Sequence, residues 1–485
     1  MFENISYLKK NKILDITNNT NSVKKDSVFF ALKGNQSDGN KFIPLAIKKG
    51  AKIIVSSDKK VLKEIKNKDI VTIYTANVRS TYISECCRIF KNPSKKLDIC
   101  GITGTNGKTS ILYLLRHIWE SKKTSILGTI ENSIGQKKNT SDLTTPDSFE
   151  INNLMSKTIG KKIKKLFMEV SSHALDQSRV ENIHFNSAIY TNLTRDHFDY
   201  HKNIKNYFDS KKSLFTKFLL MSSKKKKMAL INIDDKYGKI LFKEKLIGVT
   251  KVSYSIKNKK ADFFINKISK SKNSYILDIK NREKIYSVET PLFGIFNFQN
   301  ILAAFSYSIM KGKSSKKIIE KLKKFKGARG RMESVGNKQK KIFIDYAHTH
   351  DALEKTLIAL REEFKSYKII IVFGCGGERD KLKRKEMGKI AYKYSDKIIL
   401  TNDNPRNESA DQIIRDIKKG IKKLSNTYTI ISRKKAIEYG IKKISKKTIL
   451  LIAGKGHEEY QEINNKKFPF SDHQIVKESL ESANF

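Results

Sequence analysis

The chain is poor in cysteine, has no long apolar run and is short of acidic residues, and each shortage narrows what it can be. Its four cysteines, Cys86, Cys87, Cys100 and Cys375, lack the spacing of a metal-ligand set. They read as reduced thiols of a reducing compartment. Nowhere do the roughly 18 uninterrupted apolar residues of a membrane-spanning helix occur, and the opening residues MFENISYLKKNKIL carry no apolar core of a secretory signal. A cytoplasmic location without membrane insertion is therefore expected. Internal repeats and low-complexity linkers are missing too. Acidic residues number 49 against 98 lysines and arginines, a formal charge of +49 over 485 residues. A balance of that size suggests a polyanionic partner such as nucleic acid. The lysines are spread from end to end, however, in runs such as SKKKK and KKISKK, and are not interleaved with aromatics. An ordinary enzyme with a lysine-rich surface fits that distribution better, and no nucleic-acid partner is expected. The length allows about three domains, each with its own core.

What is present is organised around Leu97 to Glu120, LDICGITGTNGKTSILYLLRHIWE. Ile99, Cys100 and Ile102 have strand character, and Leu112, Leu115, Ile118 and Trp119 recur at helical spacing. Between them lie Gly104, Thr105, Asn106, Gly107, Lys108, Thr109 and Ser110. Strand, glycine loop and helix in that order present backbone N–H groups and a helix N-terminus to phosphate oxygens. Lys108 adds a charge for the β- and γ-phosphates, and Thr109 adds a hydroxyl ligand for Mg²⁺. The strict eight-residue phosphate-loop pattern fails at Ile102, where it asks for glycine. The plainer alternative is a glycine-rich turn beside a surface lysine.

Residues 1–96, with strand-like SVFFAL and AKIIVSS and a helical FIPLAIKKG, are expected to form a small α/β domain ending at Asn92-Pro93-Ser94. Residues 97–327 are expected to form a central domain of phosphate-loop ATPase type with a mostly parallel sheet. Two of its strands stop at polar clusters: KLFMEVSSH at Glu169, Ser171, Ser172 and His173, and SAIYTNLTRDHFDYH at Arg195, Asp196, His197, Asp199 and His201. Strands ending on acids and histidines are how an α/β sheet presents a site. The lysine runs near 224 and 251 and residues 259–290 read as surface hairpins or insertions. From 328 to 485, strands KIFIDY, YKIIIVFG, DKIILT, YTIIS and TILLIAG alternate with helical stretches near 351–365, 383–395, 409–424 and 433–446. That alternation predicts a Rossmann-like, doubly wound domain.

Taken together, these residues resemble the Mur ligases. The matching text is GITGTNGKTS, TTPD (144–147), MEVSSHALDQSRV (168–180), TNLTRDHFDYH (191–201), FNFQN (296–300), ARGRME (328–333), DYAH (345–348), GCGGERDK (374–381), DNPR (403–406) and GKGHE (454–458). The resemblance implies ATP-driven amide formation, in which a substrate carboxylate becomes an acyl phosphate and is attacked by an amine. The chemistry is coherent, because a carboxylate is a poor electrophile until it carries a leaving group. By this resemblance Lys108, His197 and Lys211 are catalytic; Thr109, Glu169, His197 and a carbamylated Lys211 bind Mg²⁺; and Asn297, Asn300, Arg331 and Asp345 join the loop in holding ATP. Lys212 beside Lys211 leaves the register slightly open. Thr20, Asn35, Gln36, Ser37, Thr144, Thr145, Ser171, Gln177 and Arg179 match positions that contact a UDP-N-acetylmuramoyl-peptide.

Two departures stand out. Where the family usually reads Asp-Ser-Arg, this chain has Asn19-Thr20-Asn21, so the arginine's charge is missing. His350 replaces a customary proline, for which a local turn change is expected. The amino acid added is expected to be meso-diaminopimelate, whose second carboxylate suits an arginine fork at Arg406, helped by Arg379, Asp403, Asn404, Pro405, Gly454 and Glu458. Asp403 to Arg406 taken alone is also an ordinary turn sequence. Competing readings are a lysine-adding ligase, a folylpolyglutamate-synthase-like ligase and a nucleic-acid-stimulated ATPase. A monomer is expected.

Overall fold

Short runs rich in Ile, Val, Leu and Phe, many of them separated by helical stretches, build three parallel or mostly parallel sheets. The computed structural model describes residues 2–482 except 12, 14, 35, 36, 142 and 338. The first sheet has four parallel strands in chain order: Ile16–Thr17, Val28–Phe30, Ile53–Ser56 and Val71–Tyr74. Side chains alternate between its faces, Val28, Phe30, Ile53 and Val55 packing on helix Val78–Ile89 while Phe29 and Ile54 face helix Ile43–Lys48.

The second sheet has 11 strands. From one edge to the other they are Lys284–Thr290, Tyr275–Asn281, Phe263–Lys270, Val249–Ser255, Lys227–Asn232, Ser187–Tyr190, Asp98–Thr103, Lys165–Glu169, Thr124–Leu127, Glu131–Ile134 and Lys137–Thr140. The strands between Phe263–Lys270 and Thr124–Leu127 run parallel, with an antiparallel ribbon added at each edge. Asp98–Thr103, which feeds the glycine loop, therefore lies inside the parallel run. Its neighbours Ser187–Tyr190 and Lys165–Glu169 deliver their C-terminal ends to the same sheet edge.

One sequence expectation is overturned here. Residues 259–290 do form hairpins but not surface ones: they make a strand edge of this sheet, and Leu277, Ile279 and Val288 are each 0% exposed in the core beneath helix Ile295–Met310. Their alternation with lysines hides a half-buried ribbon. The ribbon also carries the third sheet's domain, since the Tyr275 hydroxyl donates to Glu363 and Lys270 Nζ lies 3.0 Å from the same carboxylate.

The third sheet has six strands in the order Glu333–Ser334, Lys341–Asp345, Thr448–Ala453, Lys368–Phe373, Lys397–Leu400 and Thr427–Thr429, all parallel but the first. Phe343, Ile369, Ile371 and Phe373 face helices His350–Glu363, Leu382–Tyr394 and Ala410–Lys418, whereas Ile342, Ile344, Ile370 and Val372 face helices Arg433–Lys442 and Asp472–Glu481. This is the doubly wound arrangement expected from the sequence. Thr349 caps the helix that His350 opens. Its first position, taken by His350, is one where proline is also accommodated. Arg433, buried, forks onto Asp472 with two 2.8 Å bonds and donates to the Ala453 carbonyl, fixing the last helix to the strand end at Gly454.

Leu277→Ala is expected to cost about 2–5 kcal/mol in urea unfolding, whereas Lys284→Ala on the same ribbon shifts stability by less than about 0.5 kcal/mol. Equal midpoints for the two variants would return the ribbon to the status of an insertion.

Candidate active site

The glycine loop is shaped by contacts with the adjacent strand end. Thr105 N–H donates to the Asn192 carbonyl and Asn106 N–H to Asn192 Oδ1, both at 2.9 Å, and Thr191 Oγ1 donates to the Asn106 carbonyl at 2.7 Å. Gly104, at φ 146°, packs so closely on Thr191 that a Cβ there would collide with its hydroxyl. Helix Lys108–Ile118 starts from Gly107 with no side-chain cap, which leaves its first amides for an anion. Lys108 Nζ lies back on the loop, donating to the carbonyls of Gly104 and Thr105 at 2.9 and 2.8 Å. Burial lowers its pKa, against the pull of Glu169.

Glu169, fully buried at its strand end, takes Thr109 Oγ1 at 2.9 Å, Thr129 N–H at 2.9 Å and Thr129 Oγ1 at 3.0 Å. These donors are two hydroxyls and one amide, and they hold the carboxyl group beside the loop. Arg331, at the start of the third sheet's domain, donates from Nη2 to Thr109 Oγ1 at 3.0 Å, and its guanidinium lies 4.5 Å from the Tyr346 ring. Asp345 accepts from Met332 N–H at 2.6 Å and from Thr356 Oγ1 at 3.2 Å. Burial raises its pKa although Arg331 opposes this. The P-loop residue Asn106 also reaches across, donating to Asp351 at 2.8 Å.

The resulting cleft is lined by Thr105 to Ser110, Thr144, Glu169, His197, Asn300, Arg331 and Asp345 among the expected residues. Asn300 packs against Gly107. Asn297 is not brought into the cleft; its amide donates to the Phe293 carbonyl one turn back at 2.8 Å. His197 lies 3.3 Å from Asp196, and burial pushes it down to about 3 despite that carboxylate, leaving a neutral imidazole able to take a metal. Lys211 sits behind the loop, its Nζ donating to the Gly104 carbonyl at 2.9 Å and lying 4.3 Å from the Tyr207 ring. Burial, with Lys108 adding repulsion, holds its pKa well below the ordinary lysine value. Among the described residues no three His, Cys, Asp or Glu converge as a ready-made metal site. One buried carboxylate and one hydroxyl nonetheless suit Mg²⁺, which completes its shell with phosphate and water.

Beside the cleft, Thr145, Ser171, Gln177 and Arg179 form one network. Thr145 Oγ1 donates to the Glu169 carbonyl at 2.8 Å and accepts Ser171 N–H at 3.0 Å, while Arg179 donates to the Thr145 carbonyl at 2.9 Å and forks onto Gln177 Oε1. The N-terminal domain reaches this network through Arg79, which donates to the carbonyls of Gln177 and Lys33 at 3.3 and 3.2 Å. Sequence reasoning missed Arg79. Asn35 and Gln36 lie outside the described residues. Thr20 belongs to the turn Thr20–Ser22, where Lys49 Nζ donates to its carbonyl at 3.1 Å and lies 3.3 Å from Asn21 Oδ1, a cation where the resemblance finds arginine missing.

The third sheet presents a second polar pocket at its strand ends. Asn404 Nδ2 donates to Glu458 Oε2 at 3.0 Å, and buried Lys455 donates to Asn404 Oδ1 at 2.9 Å and to Glu458 Oε2 at 2.8 Å. Glu458 Oε1 meets the Tyr346 hydroxyl at 3.4 Å and, among the described residues, takes no shorter hydrogen bond, which leaves it open to a further cation. Arg406 lies beside Gly376, and Arg379 borders the same glycine. Tyr346 lines the cleft and touches Glu458, so it joins the two pockets. His348 also lines the cleft, its Nδ1–H on the Tyr346 carbonyl at 2.8 Å, which leaves Nε2 as an acceptor. His348 and Lys455 stand at strand ends in the sequence without a role of their own there, and Tyr346 was not singled out. The motifs GKGHE and DYAH were the signal that could have marked them.

A glycine loop, a buried acid next to it and a flanking doubly wound domain define an enzyme that works on a nucleotide between domains. The chain belongs to the Mur ligase family: residues 102–307 match the Mur ligase middle domain, 330–456 the Mur ligase glutamate ligase domain, and 12–88 the Mur ligase family catalytic domain. It is 39% identical over 482 residues to the UDP-N-acetylmuramoyl-L-alanyl-D-glutamate--2,6-diaminopimelate ligase of Aquifex aeolicus, covering 99% of this chain and 96% of that protein. To the ligase of the same name from Fusobacterium nucleatum it is 38% identical, covering 94% and 92%. A solved structure of a ligase with that name matches at a TM-score of 0.66 and 30% identity, covering 98% and 96%. MurF ligase from Thermotoga maritima, solved in complex with ADP, shares the fold at a TM-score of 0.64 and 16% identity, covering 96% and 97%.

Gly104→Ala is expected to weaken nucleotide binding by about 100-fold, since it must displace the Thr191 hydroxyl and strain the loop. Isothermal titration with ATP checks this, and an unchanged affinity would place the nucleotide elsewhere.

Proposed function

We propose that the chain joins meso-2,6-diaminopimelate to UDP-N-acetylmuramoyl-L-alanyl-D-glutamate at the expense of ATP, through an acyl phosphate, as a step in building a peptidoglycan precursor. The observation that carries the reading is the connection between the nucleotide cleft and the pocket of Asn404, Arg406 and Glu458 through Tyr346. An amino acid held there has its free end read by opposite charges while its other end faces the cleft.

In this reading the free amides after Gly107 and the Lys108 ammonium hold the phosphates, and Arg331 with Asn300 closes on them from the other side. Thr109 and Glu169 hold Mg²⁺, and His197 with the Lys211 carbamate holds a second ion. When bound, such ions neutralise charge on the transferring phosphoryl group. The low pKa of Lys211 supports the carbamate, because only an uncharged amine takes up CO₂. The network of Thr145, Ser171, Gln177 and Arg179, with Thr144 and Arg79, holds the UDP-substrate. Arg406 takes the distal carboxylate of diaminopimelate and Glu458 Oε1 its distal ammonium. No step calls for nucleic acid, and the substrates are small molecules.

Incubation with the UDP-muramoyl-dipeptide, ATP, Mg²⁺ and either diaminopimelate or lysine, followed by product mass, tests the reading. The tripeptide product forms with diaminopimelate; turnover with lysine or with a folate acceptor alone contradicts it. Arg406→Ala is expected to erase most of the preference for diaminopimelate over lysine. Separately, ¹³C-bicarbonate should give a carbamate carbonyl signal in the wild type that is missing in Lys211→Ala, and its absence from the wild type removes the carbamate from the account.

A further inference from the structure

Arg406 is held in place by a segment that no motif covers. After the Gly454 to Glu458 turn the chain forms the hairpin Tyr460–Ile463 and Lys466–Pro469. One residue of this hairpin, Glu462, touches the Asp403 to Arg406 loop in three ways. Its N–H donates to Asn404 Oδ1 at 3.0 Å, its carbonyl accepts Arg406 N–H at 3.0 Å, and its carboxylate lies 3.0 Å from Arg406 Nε. Gln461, next to it, donates to the Asp403 carbonyl at 2.8 Å.

Those contacts answer two problems of the loop. Arg406 has φ 53°, a left-handed conformation that a long side chain adopts only when its surroundings impose it. Two backbone bonds to the hairpin impose it: Arg406 N–H donates to the Glu462 carbonyl at 3.0 Å, and the Arg406 carbonyl accepts from Asn464 N–H at 2.9 Å. The side chain has its own problem, because an unrestrained arginine must freeze its rotamers when it grips a ligand. Here Nε is held by Glu462 and Nη1 by the Gly377 carbonyl at 2.7 Å, so the plane of the guanidinium is set before any ligand arrives. Glu462 takes the Nε hydrogen and Gly377 one on Nη1, so a carboxylate is met by Nη2 and the remaining Nη1 hydrogen. The same residue, through its N–H, also orients the Asn404 amide, whose Nδ2 then faces Glu458.

The geometry points to Glu462 as the positioning residue that sets selection for an amino acid bearing a distal carboxylate, acting through Arg406. The inference rests on the role given to Arg406 under the proposed function and deepens it. Glu462 lies on a partly exposed hairpin, so its replacement spares the cores of the three sheets.

The test compares steady-state kinetics of wild type, Glu462→Ala and Glu462→Gln with diaminopimelate and with lysine, alongside thermal melts. Glu462→Ala is expected to raise KM for diaminopimelate by about 10- to 100-fold, as misplacement of a gripping group does, and to leave KM for ATP and kcat/KM for lysine within about twofold. Glu462→Gln keeps an oxygen for Nε and is expected to stay within about fivefold of wild type. A parallel rise in KM for ATP, or an unchanged ratio of diaminopimelate to lysine in Glu462→Ala, overturns the inference. Wild-type enzyme that ignores diaminopimelate refutes the underlying role of Arg406 and this inference with it. Wild-type discrimination that survives in Glu462→Ala refutes the inference alone.

Discussion

The hydroxyl of Thr109 is where the structure converges. It donates to Glu169 at 2.9 Å and accepts from Arg331 at 3.0 Å. Three distant parts of the chain thus meet at one oxygen: the loop and helix after the central strand, the acidic end of the neighbouring strand, and the entry to the third sheet's domain. The constraint behind this is electrostatic. Moving a phosphoryl group onto a carboxylate brings anions together, and that needs fixed donors and cations inside a site shielded from water. The parallel run of the central sheet puts the loop, Glu169 and His197 on one edge. The third domain then supplies Arg331 from the opposite wall.

The surroundings of that oxygen also explain why an unusually basic chain carries its acids where it does. Glu169, Asp196, Asp345, Asp403 and Glu458 sit at strand ends and are buried or nearly so, while the lysines are spread over the surface. Among the described residues two lysines are exceptions, Lys211 behind the loop and Lys455 in the third sheet's polar pocket, each fully or almost fully buried. A buried ammonium is costly unless it is paired or gives up its proton. Lys455 has Asn404 and Glu458 as partners, whereas burial and the nearby Lys108 hold the pKa of Lys211 well below the ordinary lysine value.

Much of this could be read from residues alone. The strand, loop and helix order around Gly104 to Thr109, the acids at strand ends and the alternation of the last domain all depend on local periodicity, which sequence carries directly. What failed has physical reasons. Leu277, Ile279 and Val288 alternate with charged residues, and whether such a ribbon is half-buried depends on a helix and a domain that pack on it from elsewhere. In FNFQN Asn300 reaches Gly107, whereas Asn297 spends its amide on the Phe293 carbonyl just ahead of the helix. Arg79 and Glu462 gain their meaning from partners far away in the chain, so no local pattern marks them, and Tyr346 and Lys455, though they lie in the motifs DYAH and GKGHE, show their roles only through such partners. The missing glycine at Ile102 was no obstacle: that residue is buried in the strand, and the loop turns at Gly104 and Gly107 instead.

The central claim is that the cleft around Thr109 moves phosphate from ATP to a carboxylate of the UDP-substrate before the amine attacks. Labelling that carboxylate with ¹⁸O and measuring the mass of the phosphate released during turnover with diaminopimelate tests it directly. One ¹⁸O in each phosphate formed is the predicted result. Unlabelled phosphate accompanying normal amide formation would contradict the account.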